Sequence, residues 1–196
     1  MSIPISELIE RFQKDLDATT QKGHPEPTAM TLSTVNENGF PSSRVVLLKA
    51  FDERGFVFYT NLTSRKSREI QNNPQVCINF MWHNISKQIR VEGRAEQVSD
   101  QEADAYFATR AKQSQIGAWA SKQSTEIEQK MDFKKRVVKY GLKFATSKVP
   151  RPDFWSGFRI VPSKIEFWQK RDFRLHERQV FTPDTSVNWN EVRLYP

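Results

Sequence analysis

One cysteine in 196 residues leaves no partner for an internal disulfide, and a lone thiol cannot assemble a thiolate metal site. Cys77 stands between Val76 and Ile78 in a run that reads as a strand, where a thiol acts as a small core side chain rather than a nucleophile. The three histidines, His24, His83 and His176, are isolated from one another, so no metal ligand set is expected. Glycine is sparse too. Its seven positions, 23, 39, 55, 93, 117, 141 and 157, lie too far apart for a dinucleotide fingerprint or a phosphate-cradling Walker loop. No Gly-x-Ser-x-Gly elbow offers a hydrolase nucleophile. Long hydrophobic runs are missing as well. Val45 to Leu48 is the longest purely aliphatic stretch, far short of the roughly 20 residues a membrane-spanning helix needs. Met1 to Glu10 lacks the apolar segment of a signal peptide, so no membrane partner and a cytoplasmic address are expected.

What is present fits a strand-rich globular chain, 37% hydrophobic and 12% aromatic, long enough for one domain with a sizeable core. The formal net charge of +7 asks for an anionic partner, either nucleic acid or a small phosphorylated ligand. The cations are scattered. The densest run, Lys134 to Arg136, lies in a helical stretch where a solvated face is the default.

The most informative stretch runs from Arg44 to Lys66. Val45 to Leu48 reads as a buried strand and Phe56 to Thr60 as its hairpin partner across the turn Asp52 to Gly55. Arg44 and Lys49 are an odd number of residues apart, which sends them to opposite strand faces, roughly 17 Å apart along the chain. Ser64, Arg65 and Lys66 then open a helix ending near Asn73-Pro74, and a helix start with a hydroxyl and two cations suits a phosphate. The plainer alternative is a solvated strand end and an ordinary N-cap.

Elsewhere the pattern is regular. Ile5, Leu8, Ile9, Phe12 and Leu16 recur at helical spacing between Pro4 and Gly23. Thr28 to Val35 alternates as a strand that turns through Asn36-Glu-Asn-Gly39, and Gln75 to Trp82 pairs with Lys87 to Val98 around His83-Asn84. Ser99 and Glu102 form a capping box for a helix to about Lys112. If that helix continues, Tyr106, Arg110 and Ser114 share one face and suit a phosphate, or else Tyr106 and Arg110 form a snorkelling surface pair. Residues 113 to 121 are again helical. Thr125 and Glu128 cap a long helix with Ile127, Met131, Val138, Leu142 and Phe144 inward, ended by Pro150 and Pro152. Phe154 to Val161, Lys164 to Gln169, Arg174 to Phe181 and Asn188 to Leu194 read as closing strands. The expectation is one α+β domain on a mainly antiparallel sheet, possible as a closed barrel.

Near the C-terminus Arg174, His176 and Arg178 alternate, so an extended chain presents all three on one face. Such a row repels itself unless an anion or aromatic system lies among the cations, and Trp168 offers an indole edge nearby. A polar face neutralised by Asp172 and Glu177 is the alternative.

Seven separated motifs, in this order, give the chain a resemblance. They are Arg44-Val-Val-Leu-Leu-Lys49, Phe58-Tyr-Thr-Asn, Ser64-Arg-Lys66, Ser114-Gln-Ile-Gly-Ala-Trp119, Ser121-Lys-Gln-Ser124, Phe154-Trp-Ser-Gly-Phe158 and Glu166-Phe-Trp-Gln-x-x-x-x-Arg174-Leu-His-Glu-Arg178. From about Pro27 to Pro196 the chain closely resembles the pyridoxamine 5′-phosphate oxidase family. The resemblance implies an FMN-binding split β-barrel with flanking helices, residues 1–196 forming a single domain. A helical lead would occupy residues 1–26, and dimerisation and active-site strands residues 165–196. It further implies a homodimer with FMN at the subunit interface. FMN would be held by Arg44, Val45, Val46, Leu47, Leu48, Lys49, Tyr59, Thr60, Arg65 and Lys66, completed by Gln88, Gln123, Ser124, Trp168 and Arg178. Lys49, Tyr106, Arg110 and Ser114 would take the substrate phosphate, and Arg174 and His176 would face the pyridine ring as the catalytic pair. The implied reaction oxidises pyridoxamine or pyridoxine 5′-phosphate with molecular oxygen, giving pyridoxal 5′-phosphate and hydrogen peroxide. Relatives often carry an Arg-rich lead that folds over the substrate, whereas Arg11 is the one arginine before Pro27 here. Two rivals are a different split-barrel flavin oxidoreductase and a basic nucleic-acid-binding domain using exposed aromatics.

Overall fold

The computed structural model describes residues 2–129, 131–184 and 187–196. The strands are β1 (Ser2–Pro4), β2 (Ala29–Val35), β3 (Pro41–Leu47), β4 (Ala50–Asp52), β5 (Gly55–Asn61), β6 (Gln75–Trp82), β7 (Lys87–Gln97), β8 (Trp155–Gln169), β9 (Glu177–Pro183) and β10 (Asn188–Leu194). The helices are α1 (Ile5–Gln21), α2 (Arg65–Asn72), α3 (Asp100–Thr109), α4 (Lys112–Ala120) and α5 (Asp132–Lys143). Among the described residues no helix is long and apolar enough to cross a membrane.

Local chemistry accounts for the turns. Asn36 Oδ1 accepts the backbone N–H groups of Asn38 and Phe40, and Gly39 takes φ +82, which together fold β2 back onto β3. Between β4 and β5, Asp52 Oδ1 accepts from Arg54 N, and Gly55 adopts φ +130 with no room for a side chain, since a Cβ there would lie 2.0 Å from the Ile160 carbonyl oxygen. Ser99 caps α3 by accepting from Glu102 N at 3.1 Å.

Every strand pairing is antiparallel, in the path β1-β10-β9-β8-β7-β6-β2-β3 with β4 and β5 joined to its side. β8 organises it. One edge pairs with β7 along its length, while the other pairs with β5 over Trp155 to Ile160 and with β9 over Ile165 to Gln169. β3 continues through Leu48 and Lys49 into β4, which pairs with β5, so the ring β2-β3-β4-β5-β8-β7-β6 closes while β9, β10 and β1 splay away. A bulge at Glu92/Gly93 lets the long pair bend, with Pro162 opposite Gly93 at a site where the regular ladder is already interrupted.

α1 plugs the ring. Ile5, Leu8 and Phe12 point inward at helical spacing, and Phe12 meets Phe51, Phe56 and Phe80 edge-on at centroid distances of 4.8, 5.1 and 5.1 Å. A smaller apolar cluster of Phe107, Phe144, Val149 and Trp155 sits under α3, α4 and α5.

The structure corrects several sequence expectations. Phe56 to Thr60 pairs with Ala50–Asp52 and β8 rather than with Val45 to Leu48, whose β3 residues pair with β2. Val45 is 64% exposed on that edge strand, while Leu48 is buried in the core. The two expected strands from Phe154 to Gln169 are one, since Pro162 falls at the bulge and does not break β8. α3 stops at Thr109 and the chain re-enters helix at Lys112. Thr125 does not cap: its Oγ1 donates to the Lys122 carbonyl, and helix begins only at Asp132. Ile127, Met131, Val138 and Leu142 are exposed in this chain, and only Phe144 of that set is buried. Arg174 lies outside β9, in a short turn where Phe173 and Arg174 take φ 54 and 63, so the strand begins at Glu177.

Truncating Phe12, which is 1% exposed, removes the plug of the ring. Phe12→Ala is expected to lower unfolding free energy by about 3–5 kcal/mol, checked by urea denaturation.

Candidate active site

A cavity of about 750 Å³ opens between the end of β3, the middle of β5, the start of α2 and the α3–α4 corner. Val45, Val46, Leu47 and Lys49 form one wall, Tyr59, Thr60, Asn61 and Lys66 the floor, and Tyr106, Arg110, Ser114, Gln123 and Trp155 the opposite side. Ala111, Gly117, Ala118 and Ser121 complete the lining, which contains three cations and no carboxylate. The two stretches that sequence reasoning held as separate anion sites therefore open into one space.

Lys66 is buried, and its ammonium donates to Thr60 Oγ1 at 3.2 Å, Ser64 Oγ at 3.3 Å and Gln123 Oε1 at 3.2 Å, all neutral acceptors. Burial first, and then the charge of Arg44, push its pKa down to about 8. Ser64 precedes α2 but does not cap it with its side chain; its hydroxyl pairs with Ser67 Oγ at 3.0 Å.

Arg110 owes its position to the end of α3. It leaves the helix in an extended conformation, φ −72 and ψ 145, while its backbone N–H still donates to the Phe107 carbonyl at 3.2 Å. Although the helix breaks, Tyr106, Arg110 and Ser114 all reach the cavity. The guanidinium lies 4.9 Å from the centroid of Trp155, and its buried NH1 has no hydrogen-bond partner. Burial lowers the Arg110 pKa, with Tyr106 opposing. The phenols are held protonated. Burial, then Glu102 and Tyr106, raise Tyr59 to about 12, and burial raises Tyr106 against the pull of Arg110. Tyr59 and Tyr106 stack at 4.0 Å, and Gly157, in register with Tyr59, leaves the space: a Cβ there would sit 2.7 Å from the Tyr59 ring.

Arg44 and Arg65 do not line this cavity. Both turn to buried Glu69, Arg44 NH2 at 3.2 Å and Arg65 Nε at 2.8 Å, and Ser42 Oγ donates to the same carboxylate at 2.8 Å. Burial works to raise the Glu69 pKa, but hydrogen bonds from Thr34, Arg65 and Ser42 carry it down to about 2.

The remaining expected residues lie elsewhere on the chain. Gln88, Trp168 and Arg178 are neighbours in register across β7, β8 and β9, forming one row on a sheet face. Arg178 Nε donates to buried Glu166 at 2.7 Å, and Glu166 also meets Arg90 NH2 at 2.8 Å. The His176 ring packs against Trp168 with centroids 4.7 Å apart, and its Nδ1 accepts from Arg171 N at 3.2 Å. Gln88 and Trp168 border a second cavity of about 170 Å³, which shares no residue with the first. Ser124, at φ 68, borders a third of about 340 Å³ that meets the first only at Ser121 and Gln123. Sequence reasoning gave no role to Trp155, Asn61 or Glu69. Trp155 stood within a recognised motif, whereas the Glu69 network depends on three elements meeting in space.

Comparison with known proteins agrees with this architecture. Residues 16–143 match the family model described as pyridoxamine 5′-phosphate oxidase, and residues 155–196 match that of the pyridoxine 5′-phosphate oxidase C-terminal dimerisation region. Pyridoxine/pyridoxamine 5′-phosphate oxidase of Caulobacter vibrioides is 50% identical over 185 residues, covering 94% of this chain and 83% of the relative. The protein of the same name from Rubrobacter xylanophilus is 48% identical over 188 residues, covering 96% and 86%. Among solved structures, PhzG from Burkholderia lata, in complex with tetrahydrophenazine-1-carboxylic acid, superposes with a TM-score of 0.91 at 29% identity, covering 97% of this chain and 93% of that one. With its barrel, its ordered motifs and both halves of the sequence matched, the chain belongs to the pyridoxamine 5′-phosphate oxidase family.

Proposed function

We propose that this chain is an FMN-dependent oxidase acting in the cytoplasm, converting pyridoxamine or pyridoxine 5′-phosphate with molecular oxygen to pyridoxal 5′-phosphate and hydrogen peroxide. The observation that carries this reading is the first cavity, where Lys49, Lys66 and Arg110 converge without a carboxylate and one buried Arg110 N–H lacks an acceptor. Such a site is built for anions. Two phosphate monoesters, one on the cofactor and one on the substrate, are what the residues fit.

Lys66, Thr60 and Gln123 already form one polar group and would hold the FMN phosphate arm, with Tyr59 and the wall from Val45 to Lys49 beside it. Arg44 and Arg65 join through the Glu69 network. Lys49, Tyr106, Arg110 and Ser114 would take the substrate phosphate, Tyr106 as a donor because its phenol stays protonated. Bound FMN would supply the two-electron acceptance that takes the alcohol substrate to the aldehyde, or the amine substrate to an imine that water hydrolyses with release of ammonia, and would pass the electrons to oxygen.

Gln88, Trp168, Arg174, His176 and Arg178 come from a second copy. Trp155 in the cavity and Trp168 in the row are both on β8, thirteen residues apart, which is on the order of 40 Å in an extended strand. One chain cannot bring both to one ligand. A homodimer can, and the match of residues 155–196 to a dimerisation region supports it. Arg174 and His176 would then orient the pyridine ring and assist proton removal.

The deciding test is whether the purified protein binds FMN and releases hydrogen peroxide with pyridoxamine 5′-phosphate. A protein that takes up no FMN, or releases no peroxide, overturns the reading. Lys66 sets a pH dependence. A phosphate needs its protonated form, whose pKa in the free protein is about 8, so FMN affinity should fall as pH rises through that value. Lys66→Met should weaken FMN binding about ten- to a hundredfold at pH 7, and Lys66→Arg should carry binding to higher pH; fluorescence titration of FMN measures both. Arg174→Ala should cut kcat about a hundredfold with flavin content retained, read from peroxide release against flavin absorbance.

A further inference from the structure

Arg110 is held in an unusual way. A partly buried guanidinium is ordinarily fixed by carboxylates, as Arg159 is, with NH1 donating to Asp52 and NH2 to Glu102, both at 2.9 Å. Arg110 has no ion pair among the described residues. Its guanidinium instead lies 4.9 Å from the indole centroid of Trp155 and 5.6 Å from the ring of Phe107.

Trp155 is itself immobilised. It is 6% exposed, meets Phe107 edge-on at 4.9 Å, and lies parallel to Tyr59 and Tyr106 at interplanar angles of 5° and 4°. The distinction between a carboxylate and an aromatic anchor matters chemically. A carboxylate would occupy the N–H donors of Arg110 and cancel its charge, so an arriving phosphate would have to displace it. An indole face orients the cation and leaves its charge and donors intact.

We propose that Trp155 is a positioning residue that makes the site selective for phosphorylated over unphosphorylated substrate, by holding Arg110 toward the substrate phosphate without neutralising it. This rests on the substrate assignment above. It adds a specific cause for phosphate selectivity, a residue that need not touch the phosphate.

The experiment uses FMN-loaded wild type, Trp155→Phe and Trp155→Leu. Steady-state peroxide release gives kcat and KM for pyridoxamine 5′-phosphate, and competition gives inhibition constants for inorganic phosphate and for unphosphorylated pyridoxine. In Trp155→Leu, KM and the phosphate inhibition constant should rise together, about two- to thirtyfold, by a larger factor than kcat falls. The pyridoxine constant should stay at the wild-type value. Trp155→Phe, which keeps a ring, should lie between the two. A parallel rise for phosphate and pyridoxine, or an unaltered phosphate constant, overturns the proposal. If Trp155→Leu fails to fold or to retain FMN, Trp155→Phe decides, and wild-type phosphate inhibition in it overturns the role of Trp155. A wild type that binds FMN yet does not oxidise pyridoxamine 5′-phosphate overturns the substrate assignment and the proposal with it.

Discussion

The arrangement depends on one strand that changes partner halfway. β8 gives its first half to β5 and its second to β9, while β7 follows it throughout. Because backbone hydrogen bonds along a buried strand must be satisfied, this fifteen-residue strand takes β5 and then β9 on one edge, with Val161 to Lys164 by the bulge outside both ladders there. The ring closes at one end and the C-terminal strands fan out at the other. Trp155 and Trp168 mark those two ends, so the strand that lines the anion cavity also carries the row of Gln88, Trp168 and Arg178 at its far end.

Charge is distributed with the same economy. Many arginines are paired: Arg44 and Arg65 with Glu69, Arg90 and Arg178 with Glu166, Arg151 with Asp100 and Asp104, and Arg159 with Asp52 and Glu102. Lys49, Lys66 and Arg110 share a lining that offers them no carboxylate. An excess of cations spread evenly along the sequence becomes local only after folding has matched most arginines with acids. That is why net charge alone left nucleic acid and phosphate ligands both open.

Much of the fold was legible where a local rule decided it. The face of α1, the β2–β3 turn at Asn36 and Gly39, the pairing of β6 with β7 and the Ser99 cap all follow from neighbours close in sequence. What failed was decided at a distance. Nothing near Phe56 tells it to pair with Ile160, a hundred residues on, and the apolar period around α5 reveals an apolar face without revealing what covers it. Arg110 was read onto a continuing helix, yet the break at Thr109 still delivers it to the cavity. The motifs that carried the family resemblance contain Lys49, Tyr59, Thr60, Lys66 and Ser114 of the cavity and Trp168 and Arg178 of the row, whereas Gln88, Tyr106 and Arg110 lie outside them. Glu69 escaped, since its partners lie on β2, β3 and α2.

The turn before β9 carries twice over a cost that Ser86 and Ser124 each carry singly. Phe173 and Arg174 both sit in the left-handed region, and each such residue other than glycine forgoes roughly 1–2 kcal/mol. Glycine at position 173 would relieve part of that strain and make the segment easier to fold, while giving the neighbouring arginine more directions in which to wander. Ease of folding and a fixed direction for the Arg174 side chain are thereby set against each other at this corner, and an engineer seeking a hardier protein does better to strengthen the plugged end of the ring.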